Sequence, residues 1–472
     1  MKKYLLLLAL IAGHLFSTQA QDKPNIILIM VDDLPYSALG VTGSTCTIAE
    51  TPNIDRIFKE GVQFNQGYAT HAVCAPSRAG IMTGRYQARF NYEILPGSKL
   101  QHDKSDFGVD TKEYMIPQIL KPAGYATAAI GKWHLGDADR FQPHERGFDH
   151  WFGYRGMCGY YQFRSQVQAI KKGLPLPEVS EDEKPMLNIV RNGEPQRLTG
   201  YLTDHLAAEA ADWISEQAQP FFLYFAPYNV HAPAEVVDAK YIPEGGNGFD
   251  GQIAGLDAAV GTIIQAVEAA GKMDQTLIVF TNDNGGKAIY ETPFRGNKAT
   301  YYEGGVRVPI GMRWPAKIRK GLQMEEMISN LDMLPTFAAL AEVALPENYQ
   351  TDGRNLLPLL ENAESEQQRE LHFWRNTRWR AVRKHDWKLV WQIDKQKHRQ
   401  YLKAQGIKDY KGRPITDGER ADELFLKPEL YHLGVDPAET NDVADKNPLI
   451  LQELIEDYIQ WELSLPSHAR KS

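Results

Sequence analysis

The sequence contains few cysteines and lacks an excess of positive charge. Only three cysteines, Cys46, Cys74 and Cys158, occur among 472 residues, which is too few for a framework of disulfide bonds. The 52 lysines and arginines are outnumbered by 60 aspartates and glutamates, so the formal net charge is -8 at pH 7. This balance predicts that nucleic acid is not a partner. It leaves room for a local basic cluster that holds an anionic substrate.

Apolar runs long enough to cross a membrane are absent after residue 20. Before that point, Lys2 and Lys3 precede a short apolar run from Tyr4 to Phe16, and the small residues STQA end at Ala20. This order is typical of a cleavable signal peptide, with a retained membrane anchor as the alternative. No cysteine follows the cut, so a lipid anchor is not indicated. We expect an exported chain without membrane insertion.

Four segments combine a short apolar run with polar residues at its end: PNIILIMVDD, YATAAIGKWHLG, PFFLYFAPYNVHAP and QTLIVFTNDNGG. Continuous apolar runs predict strands that are buried on both faces of a parallel sheet. Stretches with a helical pattern, such as TDHLAAEAADWISEQ, lie between them. The alternation predicts an α/β fold in which helices sandwich a large, mainly parallel sheet. Sites in such sheets form beyond the carboxyl ends of the strands, so the four polar ends should converge.

The C-terminal part of the chain has a different pattern. The polar stretch ENAESEQQRE resembles a linker, and LHFWRNTRWRAVRKHDWKLVWQ and NPLILQELIEDYIQWELSL then predict antiparallel strands and a terminal amphipathic helix. We therefore expect a signal peptide over residues 1–20, an N-terminal α/β domain over 21–362, and a smaller C-terminal subdomain over 363–472 with an antiparallel sheet plus a helix. The polar, proline-rich segment 171–200 is expected to leave the main sheet.

Two of the strand ends are acidic. Asp32 and Asp33 follow the first apolar run, and Asp283 and Asn284 follow the last. Adjacent carboxylates repel each other and need a counter-charge. Three carboxylates and one amide form an all-oxygen ligand set, which suits a hard divalent cation, Ca²⁺ or Mg²⁺. Two unrelated acidic turns are the alternative interpretation.

Cys74 opens the segment CAPSRAGIMTG, which matches the C-x-P-S-R-x-x-x-x-T-G signature of the type I sulfatases. Further matching segments run through nearly the whole mature chain: NIILIMVDD, TPNIDRI, GKWHLG, GFDHWFG, YLTD, VHAP, FTNDNGG, GNKATYYEGGVRVP and LYHLGVDPAETNDVA. The chain thus resembles the formylglycine-dependent sulfatases of the alkaline phosphatase superfamily. The resemblance implies an alkaline phosphatase-like fold, a catalytic N-terminal domain and hydrolysis of sulfuric esters.

The resemblance implies that a maturation enzyme oxidises Cys74 to formylglycine before the protein folds. The aldehyde hydrate would carry two hydroxyls on one carbon, one to attack the sulfur and one to expel sulfate by collapse to the aldehyde. The resemblance also implies Ca²⁺ in preference to Mg²⁺. The implied ligands are Asp32, Asp33, Asp283, Asn284 and the modified Cys74. Pro76 and Ser77 are expected to open a helix whose N-terminus points at the sulfate.

Five basic residues gain roles from the same resemblance. Arg78 would orient the formylglycine and neutralise nearby carboxylates. Lys132 would bind sulfate or the formylglycine oxygen, and His134 would take a proton during sulfate release. His231 would touch the sulfate and the bridging oxygen. Lys298 would neutralise the sulfate and help to protonate the leaving alkoxide.

One departure from the family pattern concerns the support of His134. Some members carry a serine that supports the corresponding histidine, whereas this chain has Met157 and Cys158 in that region. What supports His134 is therefore left open. Cys46 and Cys158 would be free to pair once Cys74 is converted.

The expected substrate is a sulfated carbohydrate, either an algal polysaccharide such as ulvan, carrageenan or fucoidan, or a glycosaminoglycan oligosaccharide. The expected compartment is a bacterial periplasm, with secretion as the alternative. Residues that could contact a sugar form two groups, although packing is the favoured interpretation because strands are rich in aromatic residues: Tyr154, Arg155, Tyr160, Tyr161, and His372, Trp374, Arg375, Trp379, Arg380. Weaker candidates near the site, or supporting Lys298, are His144, His150, Glu303, Arg307 and Pro309.

Three other functions are compatible with parts of this pattern. A phosphate or phosphonate ester hydrolase of the same superfamily would share the fold, but a two-metal phosphatase needs additional ligands. A sulfated-glycan binding protein without turnover would be expected if Cys74 stayed unmodified. A cysteine hydrolase would need a thiolate, which fits poorly beside a hard-metal site.

Overall fold

The computed structural model describes residues 23–93, 107–156, 159–287, 293–361, 369–376, 378–394, 396–397, 400 and 426–466. The expected signal peptide, Met157 and Cys158, and most of the expected linker lie outside these residues, so the domain boundaries stay predictions. Among the described helices, none is both long and apolar enough to cross a membrane.

The described strands form two sheets. Their bounds are β1 Asn25–Val31, β2 Val62–Tyr68, β3 Ala126–Lys132, β4 His150–Tyr154, β5 Ile189–Arg191, β6 Glu194–Gln196, β7 Phe221–Ala226, β8 Thr276–Asn282, β9 Ile310–Arg313, β10 Leu322–Ser329, β11 Leu371–Arg375, β12 Trp379–Lys384, β13 Trp387–Gln392 and β14 Glu429–His432. The large sheet has the order β10-β2-β9-β8-β1-β7-β3-β4-β5-β6, and the small sheet has the order β11-β12-β13-β14.

The centre of the large sheet is parallel. Strands β8, β1, β7, β3 and β4 pair in parallel, as β10 does with β2. Strand β9 runs antiparallel between β8 and β2, and β5 and β6 form an antiparallel hairpin at the other edge. The prediction of a large, mainly parallel sheet is therefore confirmed.

Helices cover both faces of this sheet. Their bounds are α1 Pro52–Lys59, α2 Cys74–Thr83, α3 Ile116–Leu120, α4 Arg164–Lys171, α5 Leu202–Glu216, α6 Gly248–Ala269, α7 Glu303–Val306, α8 Met333–Leu340, α9 Leu357–Glu361 and α10 Pro448–Ser464. Helices α2, α3, α8 and α9 pack in one apolar cluster and α1, α5 and α6 in the other. Successive side chains of β1 alternate between the clusters, because neighbours in a strand point to opposite faces.

The small sheet is antiparallel throughout, as the alternating pattern predicted. Helix α10 packs on one of its faces through Leu454, Tyr458 and Trp461. The other face packs against the large domain, where Trp374 and Tyr431 share an apolar cluster with Tyr301. The small sheet therefore lies against the segment that carries Lys298.

Segment 171–200 differs from its prediction. Residues Ile189–Gln196 do not leave the main sheet but form the β5–β6 hairpin that extends its edge. The segment is short and polar, and Pro195 lacks an N–H to donate, which an edge strand tolerates. Its pairing depends on contact with β4 rather than on a local apolar pattern.

Candidate active site

The four polar strand ends meet at one edge of the sheet. Strands β8, β1, β7 and β3 are adjacent and parallel, so their carboxyl ends lie side by side. Asp283 follows β8, Asp32 follows β1, His231 lies in the loop after β7, and Lys132 ends β3. The predicted convergence of these segments is confirmed.

The acidic residues form a buried cluster. Asp33 adopts a left-handed backbone conformation with φ 59°. The backbone N–H of Asp33 donates to Asp283 Oδ1 over 3.2 Å, and Asn284 Nδ2 donates to Asp33 Oδ1 over 2.8 Å. The four predicted metal-binding residues at these strand ends are at most 1 % exposed: Asp32, Asp33, Asp283 and Asn284. The interpretation as unrelated acidic turns is therefore wrong.

Cys74 lies at the first position of α2, directly against this cluster. Its Sγ is 3.4 Å from Asp32 Oδ1, 3.8 Å from Asp33 Oδ1 and 3.1 Å from Lys298 Nζ. The helix begins at Cys74 rather than at the predicted Pro76 and Ser77. Proline is still accommodated, because the N–H groups of the first turn have no partner within a helix.

The cluster fits a divalent cation. Ligand atoms of Asp32, Asp33, Cys74 and His231 all lie within 4.8 Å of one another. Asp33 Oδ2 and Asn284 Oδ1 are buried and accept no hydrogen bond from any residue that the structure describes. Buried oxygens without a donor are costly unless a cation binds them. His231, predicted to touch sulfate, belongs to the mutually close set, whereas Asp283 Oδ2 is occupied by Arg78.

The electrostatics of the cluster favour the binding of a cation and disfavour a thiolate at Cys74. Burial and the charge of Asp32 raise the pKa of Asp283 to about 7, so this carboxylate needs more positive charge nearby to stay ionised. Burial and the charge of Asp32 also raise the pKa of the Cys74 thiol well above its ordinary value. The thiolate that a cysteine hydrolase requires is therefore disfavoured here.

Arg78 and Lys132 neutralise the carboxylates from the buried side of the cluster. Arg78 donates to Asp283 Oδ2 from Nε over 3.0 Å and from Nη2 over 2.7 Å, and Lys132 Nζ donates to Asp32 Oδ2 over 2.5 Å. Both basic side chains are fully buried. Burial would raise the pKa of Asp32, but Lys132 and the other nearby cations hold it well below its ordinary value.

Lys298 and His231 lie on the more exposed side of the cluster. Lys298 Nζ pairs with Asp33 Oδ1, and its side chain is 18 % exposed. His231 Nε2 lies 3.5 Å from Asp33 Oδ2, and its ring is 12 % exposed. Tyr228 Oη lies 2.7 Å from His231 Nδ1 and fixes the ring. These two basic groups are thus placed where an anionic substrate can reach them.

His134 is buried behind the cluster, in a left-handed conformation with φ 63°. Its backbone N–H donates to the carbonyl of Arg155 over 2.7 Å. No residue that the structure describes bonds to its Nδ1 atom. Burial, together with the charges of Lys132 and Arg78, lowers its pKa well below the ordinary value, so the ring is neutral.

Comparison with known proteins identifies the family. A family model described as "Sulfatase" matches residues 24–343, and one described as "N-sulphoglucosamine sulphohydrolase, C-terminal" matches residues 296–410. N-acetylgalactosamine-6-sulfatase of Mus musculus is 31% identical over 455 residues, covering 92% of this chain and 84% of the relative. Arylsulfatase A of Homo sapiens is 31% identical over 477 residues, covering 95% and 89%. The chain belongs to the sulfatase family. It is a sulfuric ester hydrolase with an alkaline phosphatase-like fold.

Other relatives of this sulfatase are bacterial. N-acetylgalactosamine-6-O-sulfatase of Bacteroides thetaiotaomicron is 30% identical over 503 residues and covers 93% of each chain. The crystal structure of Ps i-CgsB in complex with k-i-k-neocarrahexaose superposes with a TM-score of 0.77 at 29% identity, covering 93% of this chain and 92% of that one. A phosphonate monoester hydrolase of Agrobacterium radiobacter, at 20% identity and a TM-score of 0.61, shares the fold.

The sulfatase site also uses residues that the sequence analysis missed. Tyr224 Oη accepts a hydrogen bond from Arg78 Nη1 over 3.0 Å, and the ring of Tyr228 faces Lys132 at 5.8 Å. Both tyrosines belong to PFFLYFAPYNVHAP, where two tyrosines close to the predicted strand end were the available signal.

Several weaker candidates lie away from the sulfatase site. His150 begins β4, at the opposite edge of the sheet, and bonds Glu209. His144 is exposed on the surface near Glu145. Most of the aromatic and basic candidates in the small sheet are buried, in agreement with the packing interpretation: His372, Trp374, Arg375 and Trp379. Tyr160 and Tyr161 are also buried. Glu303 and Arg307 bond each other beside the Lys298 segment, as expected of supporting residues.

Proposed function

We propose that this sulfatase removes sulfate from a sulfated carbohydrate, using a formylglycine made from Cys74 and a bound Ca²⁺ ion. The observation that carries the proposal is the environment of Cys74. One sulfur atom faces two carboxylate acceptors, Asp32 and Asp33, and one cationic donor, Lys298. A thiol has a single proton to donate, whereas the hydrate of an aldehyde has two hydroxyls that can use all three partners.

Formylglycine suits this position better than the thiol does. The raised pKa keeps the Cys74 thiol protonated and unreactive. An oxygen at this position would instead bind the same hard cation as the carboxylate and amide oxygens around it. The modification requires a maturation enzyme, which we propose as a partner. Bound Ca²⁺ would polarise a sulfate oxygen and lower the pKa of the attacking hydroxyl. Its proposed ligands are Asp32, Asp33, Asp283, Asn284 and residue 74.

The remaining residues bind the anion and move protons. Lys298 and His231 are partly exposed beside Asp33, so they can hold the sulfate group and the bridging oxygen. Lys132 is fully buried against Asp32 and supplies a positive charge that neutralises this carboxylate beside the proposed nucleophile. Burial keeps His134 neutral, and a neutral ring has the lone pair that a general base needs to take a proton during sulfate release.

The metal-binding residues of the site support a one-metal sulfatase over a two-metal phosphatase. Three carboxylates face three cations: Asp32, Asp33, Asp283, Arg78, Lys132 and Lys298. One divalent ion is therefore enough to make the site positive toward an anionic ester. The single set of mutually close metal-binding residues in the described part of the chain also differs from a two-metal phosphatase site.

The carbohydrate substrate is supported by the relatives. Two of them are named for N-acetylgalactosamine-6-sulfate, and a structural neighbour was solved with a neocarrahexaose. We propose glycosaminoglycan oligosaccharides and carrageenan as the first substrate classes to test. The signal-like residues 1–20 support export to a periplasm, with secretion as the alternative. Sequencing the N-terminus of the mature protein tests this, and an intact Met1 would contradict it.

The test of function is a panel of sulfated oligosaccharides assayed for released sulfate. The panel contains N-acetylgalactosamine-6-sulfate, carrageenan oligosaccharides and 4-nitrophenyl sulfate, with 4-nitrophenyl phosphate as the competing ester. We expect turnover of at least one sulfated sugar, and none by Cys74→Ala. Preferential turnover of the phosphate would support the alternative hydrolase. Tight binding of a sulfated sugar without turnover would support the glycan-binding alternative.

A further inference from the structure

The segment that carries Lys298 is held from behind by the C-terminal sheet. Glu303, five residues after Lys298, is fully buried, and its Oε1 accepts from Lys388 Nζ on β13 over 2.7 Å. The backbone N–H of Glu303 donates to Glu439 Oε2 over 2.6 Å. Lys388 Nζ also lies 3.1 Å from Glu439 Oε1. Two residues of the small sheet region thus bind both the side chain and the backbone of Glu303.

Glu303 is connected to Lys298 through a compact backbone. Gly304 N–H donates to the carbonyl of Arg295 over 2.7 Å, closing the segment from 295 to 304 into a loop. Lys298 N–H donates to the carbonyl of Gly286, and Gly285 N–H donates to the carbonyl of Gly305. The loop is therefore fixed at one side to the end of β8, beside the acidic cluster, and at the other to Lys388 and Glu439.

The buried Lys388–Glu439 pair carries a desolvation cost that apolar residues in the same space would not have. Both side chains are completely buried, and a buried ion pair is often no more stable than apolar residues of the same volume. Glu439 also adopts a left-handed backbone with φ 54°, which is unfavourable for a residue with a side chain. Stability alone does not account for such an arrangement, whereas a defined position for Glu303 does.

We propose that Lys388 and Glu439 are positioning residues, which act through Glu303 to hold Lys298 in the place where it meets the sulfate group. The proposal rests on the sulfate-binding role of Lys298 given above. It assigns a function to the motif LYHLGVDPAETNDVA, which supplies Glu439, and makes the C-terminal sheet a part of the sulfatase machinery without a catalytic residue of its own.

The test measures sulfate affinity in variants of the mature, Ca²⁺-loaded enzyme. The probe is inorganic sulfate, as an inhibitor of 4-nitrophenyl sulfate hydrolysis, and the melting temperature is recorded in parallel. Lys388→Met is expected to raise the inhibition constant for sulfate about tenfold or more, because a small displacement of a binding group has a large effect on affinity. Lys388→Arg, which keeps the charge, is expected to retain most of the affinity for sulfate.

Two comparisons separate positioning from general stability. Arg369→Met breaks another buried ion pair between the C-terminal region and the large domain, with Asp332, and is expected to lower the melting temperature without changing the inhibition constant. In a Lys298→Ala background, Lys388→Met is expected to have no further effect on the inhibition constant. Multiplicative effects of the two substitutions would overturn the proposal, as would a Lys388→Met enzyme that only melts earlier.

Glu439→Gln provides a second route if Lys388→Met does not fold. It removes one of the two carboxylates that pair with Lys388 and should also raise the inhibition constant; an unchanged constant would overturn the proposal. Failure of the proposed function looks different, because the unsubstituted enzyme would then hydrolyse no sulfate ester. A Lys298→Ala enzyme with unchanged sulfate inhibition would remove the role of Lys298 and the positioning proposal with it.

Discussion

Lys298 Nζ lies 3.1 Å from Cys74 Sγ, although 224 positions separate the two residues in the sequence. The same amine pairs with Asp33, so it links Cys74 to the acidic cluster. Cys74 reaches this point at the start of α2, and Lys298 reaches it on a loop fixed to the end of β8. A cation beside the proposed nucleophile suits an anionic ester.

Lys298→Ala is expected to lower kcat/KM about 10²–10³-fold, because it removes a preorganised positive charge at the site of reaction. The loss should be larger for a sugar sulfate than for 4-nitrophenyl sulfate, since an alkoxide needs more help to leave than a phenolate. Steady-state kinetics on both esters check this. Lys317→Ala, which removes an exposed lysine, is the control. Equal kinetics for Lys298→Ala and Lys317→Ala would contradict the assigned role.

Removal of divalent cations is expected to abolish activity and lower the melting temperature. Asp33 Oδ2 and Asn284 Oδ1 are buried and accept no hydrogen bond from the described residues, so an ion bound to them would stabilise the folded state, where the two oxygens come together. Ca²⁺ at 100 times its dissociation constant would add about 2.7 kcal/mol to the free energy of unfolding. Calorimetry with chelator, Ca²⁺ or Mg²⁺ measures the effect, and Asp33→Asn should lose the response. An identical melting temperature in chelator and Ca²⁺ would exclude a tightly bound Ca²⁺.

Arg78→Met is expected to lower the free energy of unfolding by about 3–5 kcal/mol, because it leaves the buried carboxylate of Asp283 without its hydrogen-bonded cation. Urea denaturation measures this difference. Arg78→Lys keeps a charge but loses the paired donation to Asp283, and should fall between the two proteins. A Met variant as stable as the unsubstituted protein would show that the ion pair is not needed to offset the burial of this carboxylate.

The pH dependence of stability is expected to change in Asp257→Asn. Asp257 accepts from the backbone N–H of Ile54 at the start of α1, and its burial raises the pKa to about 6 from an ordinary 3.8. Because the folded protein holds this proton more tightly, the contribution is present below pH 4 and is lost as the pH rises to about 6. Relative to the variant, the unsubstituted protein should lose on the order of 2–3 kcal/mol over this range.

Denaturation of both proteins at pH 4, 5, 6 and 7 gives the difference directly, since all other titrating groups are shared. The amide that Asp257→Asn introduces resembles the protonated carboxyl group and should remove this part of the pH dependence. A difference that stays constant with pH, or that favours the unsubstituted protein as the pH rises, would show that Asp257 has no raised pKa.

Much of the fold could be predicted because its central strands are buried on both faces. Short continuous apolar runs such as Asn25–Val31 and Phe221–Ala226 predict strands that are buried on both faces of a sheet. The polar residues after them identify the edge of the sheet that carries the site. The antiparallel sheet followed from the alternation in Trp379–Lys384 and Trp387–Gln392. The proposal that Cys74 supplies the nucleophile came from the motif around it rather than from any physical pattern.

The parts that could not be predicted depend on contacts between distant segments. The β5–β6 hairpin is polar and is defined by its pairing with β4, and His150 was wrongly considered for the site because the sequence does not say at which end of its strand it lies. The placement of Lys388 and Glu439 against Glu303 joins residues 85 to 136 positions apart. No local pattern encodes such a contact.

The most direct test of the proposed nucleophile is the mass of the tryptic peptide from Glu60 to Arg78, taken from protein made in its natural host. We predict a decrease equal to the difference between a thiol and an aldehyde side chain at residue 74, in a protein that hydrolyses sulfate esters. An unmodified thiol in fully active protein would contradict this prediction, because the buried Cys74 would then have to act as the thiolate that its surroundings disfavour.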